Sequence, residues 1–168
     1  MVMNRGVLLL LVLCFPGWGR AESLASFPAD LSQLIQVKQS VIPGKDVVLS
    51  ADVPSYLLET IRMYNWINEG QGTRLTIYVP KEKLEQYRNH GPYSDGLSAV
   101  AIYEEGNVVF VTEHLAGEVL YGTYNQAGQD ISDSHPSLAI DTCYACHDGY
   151  KDICINGTCG QLNSLPVR

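Results

Sequence analysis

Two thiols and an imidazole stand together near the end of the chain, in Cys143-Tyr144-Ala145-Cys146-His147. Cysteines at this spacing can each add across one vinyl group of a haem. A histidine directly after the second thiol is then held where its ring can bind the iron. The pentapeptide predicts one covalent haem c, carried by Cys143 and Cys146, with His147 as axial iron ligand. A Cys-x-x-Cys pair can also hold zinc, but zinc wants a second ligand pair, for which Cys154 and Cys159 are the candidates.

The other end of the chain favours haem. Arg5 precedes the apolar run Val7-Leu8-Leu9-Leu10-Leu11-Val12-Leu13, a Pro16-Gly17 break follows, and Gly19-Arg20-Ala21 closes the stretch with small residues. This is the layout of a secretory signal peptide over residues 1–21, and its apolar run is too short to span a bilayer. Cleavage is expected after Ala21, with Ala25 as second choice; Leu13-Cys14 resembles a lipoprotein site, except that Leu13 is bulky there. The expected location is periplasmic or otherwise exported. In such a compartment the spare cysteines Cys154 and Cys159 most often pair, and Asn156-Gly157 between them supplies a turn. Asn156-Gly157-Thr158 also fits the glycosylation pattern, but inside a closed loop it reads as a turn.

Without the leader about 147 residues remain, enough for a single domain over 22–168 with its own core. Loss of Arg5 and Arg20 leaves nine basic against eighteen acidic residues, a formal charge of −9. That argues against nucleic acid and anionic membrane surfaces, and it allows docking to a basic redox partner protein. Homodimerisation stays open.

The elements that must position the motif follow from periodicity. A short helix is expected over residues 30–36 and a strand at Val47-Val48-Leu49. Leu57, Ile61 and Tyr64 recur at helical spacing, which predicts a helix over 54–69 ended by Gly70 and Gly72. Residues 74–79 alternate as a strand, and 80–89 form a charged amphipathic helix stopped by Gly91-Pro92. Residues 97–103, 108–115 and 119–124 are rich in Val, Ile, Tyr and Phe and are joined by hairpin-length turns. Residues 129–141 read as irregular. The fold class expected is α+β, mainly antiparallel β-sheet with a few short helices and a C-terminal haem-binding segment.

Further candidates surround the motif. His90, His114, His135 and Met63 could each be a sixth iron ligand, and an open sixth position is the remaining option. His114 shares a strand face with Phe110 and Thr112, and a hydrogen-bonded role at the strand end competes with ligation. His90 and His135 read as solvated, and Met63 as core filler. Tyr121 and Tyr124 fall on opposite strand faces, so one should meet the haem and the other a second layer or solvent. Phe110 and Leu97 are expected as pocket walls. Lys151 and Arg74 could neutralise the haem propionates, and Glu113 and Glu118 are the candidates for a proton acceptor above the iron.

With these features in order, the chain resembles the cytochrome P-460 and cytochrome c′-β family over roughly residues 73–150. The resemblance runs through Leu75-Thr76-Ile77-Tyr78-Val79-Pro80-Lys81-Glu82, Tyr87-Arg88-Asn89-His90-Gly91, the Tyr93-Ser94-Asp95-Gly96 turn, and Leu120-Tyr121-Gly122-Thr123-Tyr124-Asn125, and it closes on the haem motif. It implies a five-coordinate haem on an antiparallel β fold, with His147 proximal and a largely apolar distal pocket. Members that oxidise hydroxylamine carry a lysine joined to the haem edge. That position corresponds here to Ala101, and residues 91–132 contain no lysine. The resemblance therefore implies the c′-β type, associated with electron transfer or with binding of a small gas such as NO or CO. The alternatives are an oxidoreductase acting on a small nitrogen compound such as hydroxylamine, and a haem subunit of a larger redox assembly.

Overall fold

The computed structural model describes residues 22–159. The leader expected over residues 1–21, Cys14 included, lies outside the described residues. Five strands form one antiparallel sheet in which spatial order follows chain order: β1 (Leu34–Pro43), β2 (Gly72–Pro80), β3 (Gly96–Tyr103), β4 (Val108–Leu115) and β5 (Glu118–Tyr124). Three short helices complete it: α1 (Ser55–Tyr64), α2 (Leu84–Arg88) and α3 (Ile140–Gly149). This is a mainly antiparallel β architecture with few helices, and β2 through β5 stand where the alternation of 74–79 and the β-rich runs between hairpin turns predict them. The tight β4–β5 connection turns at Ala116 and Gly117, both at positive φ (52° and 84°). That pairing of signs matches the right-handed twist of the flanking strands. The Asp95 carboxylate accepts the Ala116 amide at 2.9 Å and holds the turn.

Both faces of the sheet are covered. On one, Ile42, Leu75, Tyr103 and Val108 pack with Ile67, Leu138, Tyr64 and Trp66. On the other, Val100, Val109, Val111 and Tyr124 pack with Ala25, Phe27, Leu31 and Leu34 of the leading segment. Burial from both sides explains why β3 and β4 read as nearly continuous apolar runs.

Three sequence expectations need correction. The helix expected over residues 30–36 is a single 3-10 turn (Leu31–Gln33), after which the chain enters strand β1. The strand expected at Val47-Val48-Leu49 is absent: these residues lie in a loop, and Val48 is 92% exposed, so no neighbour rewards an extended conformation. The helix expected over 54–69 stops at Tyr64. The Trp66 indole N–H donates to the Met63 carbonyl at 2.9 Å, and Asn68 and Glu69 both take left-handed backbone angles that no α-helix accommodates.

Candidate functional site

Helix α3 carries the motif and is held on three sides. Asp141 lies in its first turn, where the helix dipole favours a carboxylate. The Tyr144 hydroxyl donates to the Val119 carbonyl of β5 at 2.8 Å, and Thr142 Oγ1 donates to the Pro136 carbonyl at 2.8 Å. At the far end Tyr150 hydrogen-bonds the Glu59 carboxylate of α1. Ile140 and Cys143 are buried while Tyr144 and Ala145 face outward. Cys143, Cys146 and His147 stand at i, i+3 and i+4, on one helix face.

That face closes a cavity of about 170 Å³. The sheet supplies its floor through Leu75, Ile77, Ala99, Ala101, Phe110 and Tyr121, α1 adds Tyr56, Thr60 and Tyr64, and all three motif residues line it. An aromatic cluster stiffens the wall: Tyr64, Tyr103 and Phe110 lie with ring centroids 5.3–5.6 Å apart. Sequence reasoning missed Tyr56, Thr60 and Tyr64. Their spacing of four residues, one helical face, was the available signal.

Electrostatics keep the cavity neutral. Burial pulls His147 down to about 4, so at neutral pH its ring is uncharged and has a free lone pair. Burial pushes the Cys143 thiol up to about 11 and raises Cys146 too, so both stay protonated. The Tyr64, Tyr103 and Tyr121 hydroxyls are raised by burial and remain donors.

Behind His147 lies the loop closed by Cys154 and Cys159, whose sulfurs are bonded. His147 Nδ1 is 3.7 Å from Cys159 Sγ, and its ring lies against Tyr121 with centroids 4.6 Å apart. The loop is bolted to the sheet. His114 Nε2 contacts the Asn156 carbonyl at 3.0 Å, which requires the Nε2–H tautomer, and His114 Nδ1 then accepts from Ser98 Oγ at 2.6 Å. The Tyr121 hydroxyl donates to the Gly157 carbonyl at 3.4 Å, Tyr93 and Thr158 share a hydrogen bond at 2.8 Å, and Asn156 Nδ2 donates to the His90 carbonyl at 2.6 Å. His147, Cys154 and Cys159 gather their donor atoms within 4.8 Å. Joined as a disulfide, these two sulfurs would offer zinc no thiolate.

The remaining candidates sort by face. Phe110 and Tyr121 line the cavity. Tyr124 is on the opposite face, where its hydroxyl donates to the Ala25 carbonyl at 2.5 Å and its ring meets Phe27. Leu97 does not line the pocket. A register shift between Leu97 and Ala99 turns its side chain to the opposite core, beside Val100 and Val111. Glu113 is also on that opposite face, where its carboxylate accepts the Ser26 amide at 2.9 Å, and Glu118 is exposed at the start of β5. Neither reaches the cavity. His90, His114, His135 and Met63 are all outside its walls. Both ring nitrogens of His114 are engaged. His135 is not simply solvated: its ring stacks on Trp66 at 4.0 Å and its Nδ1 accepts the Ser137 amide at 3.2 Å. Arg74 is tied to Glu104 at 3.0 Å and Glu105 at 3.1 Å on the opposite face, and Lys151 is exposed.

No protein-family model, curated protein or solved structure matches the chain.

Proposed function

We propose that this is an exported monohaem c-type cytochrome of the cytochrome P-460 and c′-β kind, for electron transfer or for binding of a small gas such as NO or CO. The observation that carries the reading is the convergence of Cys143, Cys146 and His147 on one apolar cavity between α3 and the sheet. The donor set fits the group. Two protonated thiols offer the S–H bonds that thioether formation needs, and a neutral imidazole offers an iron ligand. When bound, the haem would supply one-electron redox chemistry and a metal position for a diatomic ligand.

This chain's own residues do the rest. Phe110, Leu75, Ile77 and Ala101 exclude water, and Tyr121 and the closed loop around Cys159 fix the His147 ring from behind. With the candidate sixth ligands outside the cavity, the open position is favoured. The Ala101 methyl, paired with Phe110, offers no nucleophile for a cross-link and no carboxylate lines the cavity, which weighs against hydroxylamine turnover. Export rests on the leader expected over residues 1–21, and the contacts of the segment that follows bear on where that leader ends. Leu24 and Ala25 donate their amides to the Tyr121 carbonyl at 2.9 and 3.0 Å, and the Ser23 amide reaches Asp130 at 2.7 Å. Cleavage after Ala25 would remove these contacts, so the reading takes Ala21 as the cleavage point. The test is spectroscopic: the purified reduced protein should show a c-type spectrum that CO alters. A six-coordinate ferrous spectrum unmoved by CO would defeat the gas-binding half and leave electron carriage.

A further inference from the structure

Among the described residues, the buried atoms Lys38 Nζ and Ser40 Oγ have no hydrogen-bond partner, and the buried Thr123 hydroxyl meets the Cys143 thiol. Strand register puts all three on the cavity face of the sheet. Lys38 pairs with Ile77, Ile77 with Ala101, Ala101 with Phe110, and Phe110 with Thr123. Side chains paired in this way share a face, so one row crosses the whole sheet. Its centre is apolar and forms the cavity floor, and its two ends are polar. Ser40, paired with Leu75, begins the adjacent row beside Lys38. Gln39, between them, points the other way and bonds Thr76 at 3.3 Å.

Lys38 is the only lysine or arginine that this register places on the cavity face of the described strands. It lies one strand beyond Ile77, about 4.8 Å away in the pairing direction, which its four-carbon stem can cover. Burial lowers its amine to about 8, so it is still mainly cationic at neutral pH. An isolated buried ammonium is costly, and its usual compensation is an anion. At the opposite end of the row, Thr123 neighbours Cys143. An occupant tethered through Cys143 at that end presents its far edge to β1. In a haem, the vinyl-bearing and propionate-bearing edges lie on different sides of the macrocycle.

We propose that Lys38 and Ser40 form a carboxylate-binding site that receives a haem propionate. This rests on the haem reading above and assigns the counter-charge to β1, in place of Arg74 and Lys151.

The test uses the haem-loaded protein, with Lys38→Met, Lys38→Arg and, as a surface control, Lys45→Met. A crystal structure of the loaded protein should show a propionate oxygen within hydrogen-bond distance of Lys38 Nζ. Lys38→Met should lower the midpoint potential, because a cation that favours the reduced iron is lost. Lys38→Arg should restore most of that shift, and Lys45→Met should leave the potential unchanged. Redox-difference infrared spectra should show a propionate band that moves in Lys38→Met alone. The methionine chain is apolar and of similar length, so the fold should survive, checked by covalent haem content and circular dichroism. Covalent haem with both propionates away from Lys38, or an unchanged carboxylate band in Lys38→Met, overturns this proposal alone. Absence of covalent haem overturns the haem reading and this proposal with it.

Discussion

His114 shows how a residue can resemble a ligand and serve as a fastener. It is buried at a strand end, accepts from Ser98 and donates to Asn156. Burial holds its pKa below the usual value of 6.5, with Lys83 pushing the same way and the Asn156 bond and Asp95 opposing. The unfolded chain therefore takes up this proton first as pH falls. The associated stability is fully present above pH 6.5 and is lost as pH drops through the lower folded value. Denaturation of the haem-loaded protein at pH 7.5 and pH 5 should show that loss. His114→Gln should flatten this part of the pH dependence and cost about 1–3 kcal/mol at neutral pH. An equal pH dependence in wild type and variant would remove His114 from the account. At the haem motif, Cys146→Ala should leave one thioether at most, seen as a shifted pyridine haemochrome band.

At the scale of elements, the short loop closed by Cys154 and Cys159 stands behind His147 and touches β4 and β5 through His114 and Tyr121 and the segment before β3 through Tyr93. Replacing both cysteines with serine should cost about 2 kcal/mol, since a loop this short restrains the unfolded chain modestly. Thiol titration of denatured, haem-loaded protein should find no free thiol; two would contradict the pairing. The leading segment makes a second prediction: sequencing the mature N-terminus should begin at Glu22, and a start at Ser26 would remove the strand-like contacts of Leu24 and Ala25. Much of this framework was legible. In β3 to β5, runs rich in Val, Ile, Tyr and Phe between short turns mark the strands, and counting by two within β5 puts Tyr121 and Tyr124 on opposite faces. β1 was hidden because Leu31, Leu34 and Ile35 fall at helical spacing and because an edge strand bearing Lys38 and Ser40 lacks an apolar alternation. Leu97 was misplaced because a bulge has no sequence signature of its own. Cys143, Cys146 and His147 were legible from chemistry alone. Lys38 was not, since only the pairing of β1 with β2 brings it onto the cavity face.

For the whole molecule, the proposal is of an acidic, exported domain around one buried apolar chamber. The formal charge of −9 predicted after cleavage allows docking to a basic redox partner, and electron transfer to such a partner should slow as ionic strength rises. The chamber's lack of a lysine at Ala101 predicts an ordinary c-type haem spectrum and negligible hydroxylamine turnover. A haem peptide cross-linked through a side chain of β3 would move the reading to the enzyme. The central claim is the covalent haem itself. The most direct measurement is the alkaline pyridine haemochrome spectrum and intact mass of protein expressed through its own leader and denatured in acidified organic solvent. The account predicts that one haem stays with the chain, with the spectrum of two thioether bonds and the mass of the cleaved polypeptide plus one haem. A chain that gives up all its haem to the solvent, or never carried any, would contradict it.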